Sequence, residues 1–132
     1  MAAIERPVPK ARPVYLNLLA IRQPLPAIVS ILHRISGALL FAVGIPLLLW
    51  FVQTSLASGA GYAAAFGPLS SWFGKLVLLA IAWAYFHHVL AGLRHLVLDV
   101  HIGLDLVPAR MASAIVMVVA LLLTLIVAVR LW

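Results

Sequence analysis

The 132-residue chain is 66% hydrophobic and 9% charged, with a mean hydropathy of +1.19, which excludes an ordinary water-soluble domain of this length. Nine lysines and arginines against three acids give a net charge of +6, but their distribution reads as membrane topology and not as a nucleic-acid-binding face. Without cysteine, this chain can hold no disulfide, no iron–sulfur cluster and no covalently attached c-type heme.

In chain order, residues 1–25 come first. They lack the charged-then-apolar-then-small order of a cleaved signal and carry Glu5 and several prolines, so they are expected to form a retained N-terminal arm on the cytoplasmic side. Residues 26–132 are expected to form an all-α integral membrane anchor with three transmembrane helices, at about 26–54, 70–98 and 112–131. Each run is long enough to cross a ~30 Å hydrocarbon core at about 1.5 Å per residue. Pro24 and Pro26 open the first span, and Pro46 should bend it deeper in. The loop from Ser55 to Ser71 reads as small and flexible, with Pro68 and Ser70–Ser71 signalling the start of span two. Span three has no ionisable residue before Arg130 and reads as a packing and lipid-facing helix anchored by Arg130 and Trp132.

Charge sets the expected orientation. Arg6, Lys10, Arg12, Arg22 and Arg34 precede or enter span one, and Arg94 and Arg110 flank the second loop, whereas only Lys75 and Arg130 fall on the other side. The bias puts the N-terminus in the cytoplasm and, with three spans, the C-terminus in the periplasm.

Two polar stripes interrupt the apolar runs. In "SILHRISG", Ser30, His33, Arg34 and Gly37 stand at i, i+3, i+4 and i+7, on one helical face. A serine hydroxyl and a guanidinium one turn apart could hold a carbonyl oxygen, with Ile31 and Leu39 beside them leaving room for an apolar ring system. In "YFHHVLAGLRHLVLD", His88, Gly92, His95 and Asp99 share one face, and His87 falls on the next with Ala91, Arg94 and Leu98. A glycine one turn from a histidine lets a flat macrocycle approach the backbone, so His88 with Gly92 reads as an axial-ligand environment for heme. The structural alternative is that Arg34 snorkels to the interface while the histidines and Ser30 satisfy neighbouring helices.

Counting along the helices puts His88 ~16 Å from Asp99, His95 ~6 Å from it and His33 ~10 Å from Pro26. This places His33 and His95 near the cytoplasmic surface and His88 closer to the midplane. His88 and His95, ~10 Å apart on one helix, cannot share a zinc ion.

The segments "RPVYLNL", "SILHRISG" and "HVLAGLRHLVLD", in this order before and within the first two of three spans, resemble the cytochrome b (large anchor) subunit of succinate dehydrogenase. The resemblance implies a heme b held by His88, a ubiquinone site including Ser30 and Arg34, heme propionate contacts from His33 and Arg34, and supporting roles for His95 and Asp99. It also implies a second small membrane-anchor subunit, an iron–sulfur subunit and a flavoprotein subunit as partners. The expected location is a bacterial inner membrane before a mitochondrial one. For a two-histidine heme, the depth count removes His33, and His87, His95 and His101 fail on direction or position, so the second ligand is expected from the other anchor chain. The succinate chemistry itself is expected elsewhere in the complex. Alternatives are the anchor of a fumarate reductase, whose reaction runs in the opposite direction, and a small non-redox assembly or regulatory protein.

Overall fold

Helix formation starts where the prolines permit it. In the computed structural model, which describes residue 17 and residues 20–132, helix α1 runs Leu25–Ala57. Pro24 is extended at its N-cap and Pro26 lies in the first turn, where a missing N–H leaves no intrahelical bond unmade. Most of the expected arm, and of the segment Arg12–Leu18, lies outside the described residues.

Midway, α1 widens into a five-residue π turn, Leu40–Gly44, closed by the Ile45 N–H donating to Leu40 O five residues back. The cause is the next residue: Pro46 has no N–H for the carbonyl four residues earlier and its ring crowds that carbonyl. The wider turn absorbs the conflict, as inserted π turns do in membrane helices.

The stretch expected to be a flexible loop is mostly helical. Helix α2 occupies Gly59–Ser70, with Ser58 capping it by accepting the Gly61 N–H at 2.9 Å. Alanine-rich sequence between two capping serines outweighs the glycines that suggested turns. Ser71, extended, accepts the Gly74 N–H at 3.0 Å and starts helix α3, Trp72–Asp99. This is the start signal read at Ser70–Ser71.

After Asp99 the chain turns within a few residues. His101 takes a left-handed φ of 62°, its N–H donating to Leu98 O, while the Ile102 N–H reaches Val97 O. This is a Schellman closure with histidine where glycine is usual. Helix α4 then runs Leu106–Leu131. It begins before the expected Ala112 because hydropathy marks only the part suited to hydrocarbon, whereas the helix continues past it. Pro108 is harmless in the first turn.

Helix α3 packs against both α1 and α4. Val29, Ala91 and Val116, one from each of the three long helices, form the enclosed centre, with Leu90 and Met117 against it. Ala84, Ala120, Ser36 and Ser113 are also fully enclosed. Small residues at the contacts let the backbones approach closely. The Ser113 and Thr124 hydroxyls donate to carbonyls four residues back, at 2.7 and 2.8 Å. Large side chains such as Phe41, 76% exposed, point outward. The protein is all-helical, with three helices long and apolar enough to cross a membrane and no strand among the described residues.

Candidate functional site

The two polar stripes face each other across the α1–α3 contact. The rings of His33 and His88 stack with centroids 4.2 Å apart and planes 10° from parallel, and His95 meets His33 at 5.1 Å, tilted by 54°. The equal level of His33 and His88 overturns the depth count. That count assumed that the helix ends are level, but His88 is further from the end of α3 than His33 is from the start of α1. The offset and the lean of the side chains bring the rings together.

The His88 ring is tethered. Its Nδ1 lies 3.0 Å from the carbonyl oxygen of His33 and 3.3 Å from Ser36 Oγ, which itself donates to the same carbonyl at 2.9 Å. A carbonyl can only accept, so the proton of a neutral His88 ring sits on Nδ1 and the lone pair on Nε2. Nε2 makes no hydrogen bond among the described residues and is not one of the enclosed polar atoms, which leaves it available to a ligand.

Two glycines set the fit. A Cβ on Gly37 would come within 2.7 Å of His88 Cε1, so the ring rests on bare backbone there. On Gly92 a Cβ would meet His33 Nε2 at 3.5 Å, an ordinary contact. The gap beside Gly92, expected to admit a macrocycle, is therefore occupied by the His33 ring, and the glycine that accommodates His88 is Gly37.

His87 is wholly enclosed. It stacks on Trp83 at 5.3 Å, and neither ring nitrogen has a hydrogen-bond partner among the described residues. Arg94 Nε is likewise enclosed and unbonded among them.

Ser30 is half-buried and Arg34 exposed, one helical turn apart on α1. Neither side chain makes a hydrogen bond or ion pair among the described residues. Asp99 is exposed at the end of α3 and the structure does not bring it to the histidines. Sequence reasoning missed Ser36, although its position three residues after His33 carried the signal. Among the described residues, no three His, Cys, Asp or Glu converge as a metal-ligand set.

Fold and site together define a small multi-pass membrane protein with a histidine cluster between its first two spans and unengaged donors on one of their faces. The chain belongs to the succinate dehydrogenase/fumarate reductase transmembrane subunit family, whose sequence profile matches residues 8–128. It is 40% identical over 119 residues to the succinate dehydrogenase cytochrome b556 subunit of Paracoccus denitrificans, covering 88% of this chain and 91% of that one. Identity to the subunit of the same name from Coxiella burnetii is 32% over 123 residues, 92% and 97% of the two chains. For Rickettsia prowazekii it is 27% over 125 residues, 95% and 97% of the two chains. The chain is thus a membrane-anchor subunit of the succinate dehydrogenase/fumarate reductase type.

Proposed function

We propose that this chain is the cytochrome b anchor of a succinate dehydrogenase, binding heme b through His88 and forming part of the ubiquinone-reduction site through Ser30 and Arg34. The tethered His88 ring carries the heme reading. Its Nδ1–H is held by a backbone carbonyl, which fixes the ring and leaves Nε2 as the ligand atom. The residues fit the group: Nε2 is open, whereas His87, the competing histidine, is enclosed. The word cytochrome in the names of the relatives supports the same reading. Heme b, when bound, supplies one-electron transfer.

His33 is an unsuitable second axial ligand. Its ring is stacked face to face on that of His88 with centroids 4.2 Å apart, which would leave no room between the two rings for a macrocycle. The second ligand is therefore assigned to the second small anchor subunit, and His33 and Arg34 to the propionates. His95, tilted against His33, steadies that ring.

At the quinone site, the Ser30 hydroxyl and Arg34 guanidinium hold one carbonyl oxygen of the ring. As electrons arrive from the iron–sulfur subunit, that oxygen gains negative charge, and both donors bind it more strongly. Arg34 keeps its own proton throughout, so it orients and stabilises while protons come from the cytoplasmic water it faces. The flavoprotein subunit carries the succinate chemistry. The complex lies in the inner membrane of a bacterium, as the bacterial sources of the relatives support.

Ser30→Ala is expected to lower quinone reduction by the complex about 5–10-fold and Arg34→Leu about 10–100-fold, the range for one lost neutral or charged hydrogen bond. Succinate oxidation by a soluble dye should persist in both. Normal quinone reduction in both variants would remove this site. Orientation, resting on the seven-to-two charge bias, is tested by a reporter fused after Trp132. Activity is expected only on the periplasmic side, and a cytoplasmic signal would reverse the topology.

A further inference from the structure

We infer that Ser36 is a positioning residue for the heme ligand: its hydroxyl sets the plane of the His88 ring and adds to the charge that this ring offers through Nε2. The inference rests on the proposed ligand role of His88. Histidine carries its ring on a broad, soft torsion, so the ring plane is set by what the ring touches and not by its own rotamer. The tether to the His33 carbonyl, at 3.0 Å, fixes one point on the ring. A ring held at one point can still swing. The bare backbone of Gly37 bounds that swing beside Cε1, and Ser36 Oγ, 3.3 Å from Nδ1, gives the second polar contact.

Other hydroxyls in the bundle show how Ser36 differs. A serine or threonine in a helix can satisfy its proton on a carbonyl three or four residues back. Ser113 and Thr124 do this and make no other hydrogen bond among the described residues. Ser36 makes the same kind of bond, to His33 O at 2.9 Å, and in addition reaches the ring on the neighbouring helix. With its one proton on that carbonyl, its oxygen meets the Nδ1–H of His88 as an acceptor. The carbonyl has two lone pairs, so the hydroxyl and the ring bond it together rather than in turn. Nδ1–H therefore faces two acceptors. Each draws on that proton and raises the basicity of Nε2, which favours the ferric over the ferrous state of an iron bound there. At 3.3 Å, just beyond the ordinary range of about 2.7–3.2 Å, Ser36 supplies the smaller share of this effect.

The test compares Ser36→Ala, Ser36→Thr and Ser113→Ala in the purified complex, by redox titration of the heme and by electron paramagnetic resonance of its oxidised form. Ser36→Ala should keep a low-spin b-type heme but favour the reduced state about 3-fold, an upward shift of roughly 28 mV at about 59 mV per tenfold for one electron. Its largest g value should move and broaden, because the ring is freer to swing. Ser36→Thr keeps the hydroxyl and should hold the wild-type potential. Ser113→Ala removes a fully enclosed hydroxyl that is bonded to no histidine, and should move neither the potential nor the g value. Unchanged potential and g value in Ser36→Ala, loss of heme from it, failure of threonine to restore the potential, or an equal shift in Ser113→Ala would overturn the proposal. His88→Ala separates this result from the ligand reading. A heme spectrum that survives His88→Ala removes the ligand role itself, whereas a spectrum lost there but unmoved in Ser36→Ala removes the role of Ser36 alone.

Discussion

Replacing His88 by alanine is expected to abolish the b-type low-spin absorbance of the purified complex. The two nitrogens of the ring have separate roles. Nδ1 is committed to the His33 carbonyl at 3.0 Å, and Nε2 is the one imidazole nitrogen of His88 left open. Removing the ring removes the proposed ligand, and neither neighbouring histidine, His87 or His33, is placed to replace it. His87 is enclosed against Trp83, and His33 is stacked face to face on His88 at 4.2 Å, with no room for a macrocycle between the rings. His87→Ala should keep the spectrum while costing about 2–4 kcal/mol of stability through the cavity it leaves. Ser36→Ala should have a smaller effect than His88→Ala, because the carbonyl tether at 3.0 Å survives loss of the hydroxyl at 3.3 Å. A normal spectrum in His88→Ala, or its loss in His87→Ala alone, would transfer the ligand role.

The second large effect is expected from a single methyl group. Gly37→Ala places a Cβ 2.7 Å from His88 Cε1, closer than carbon atoms approach, so either the ring leaves its tether or α1 moves off α3. Overpacking of this kind costs about 1–3 kcal/mol. Gly92→Ala on the facing helix meets His33 Nε2 at 3.5 Å and needs no shift. It should be neutral, or stabilising by up to about 1 kcal/mol, the helix preference of alanine over glycine. Heme content per complex and thermal half-life in detergent measure both. Gly37→Ala should lose heme and inactivate faster, and Gly92→Ala should match wild type. Equal behaviour of the two would mean that His88 does not rest on Gly37 in the assembled complex.

The contrast between these glycines shows what sequence can carry. Spacing at 3.6 residues per turn places Ser30, His33, Arg34 and Gly37 on one face, and His88 and His95 on another, from sequence alone. The spans were equally legible, because a hydrocarbon core demands long apolar runs. Periodicity within one helix, however, says nothing about how far that helix slides against its neighbour. The His33–His88 stack, the exchange of roles between Gly37 and Gly92, and the contact of Ser36 with His88 all depend on that slide. The same slide sets His33 level with His88, against the expectation from counting along each helix. Helix α2 was hidden by its glycines, whose turn preference is weaker than the combined effect of an alanine-rich segment and two serine caps. Lys75 and Arg130 are legible as topology markers, but their shared position beside one cavity depends on the packing of the helices.

As proposed, this chain brings a heme b to the membrane arm of a succinate-oxidising complex. This is tested most directly by a reduced-minus-oxidised difference spectrum of the complex purified through a tag on this chain, with succinate as the reductant. The expected result is a sharp b-type α band that is absent from the His88→Ala complex. A complex that oxidises succinate and reduces quinone with no such band in the wild-type protein would contradict it.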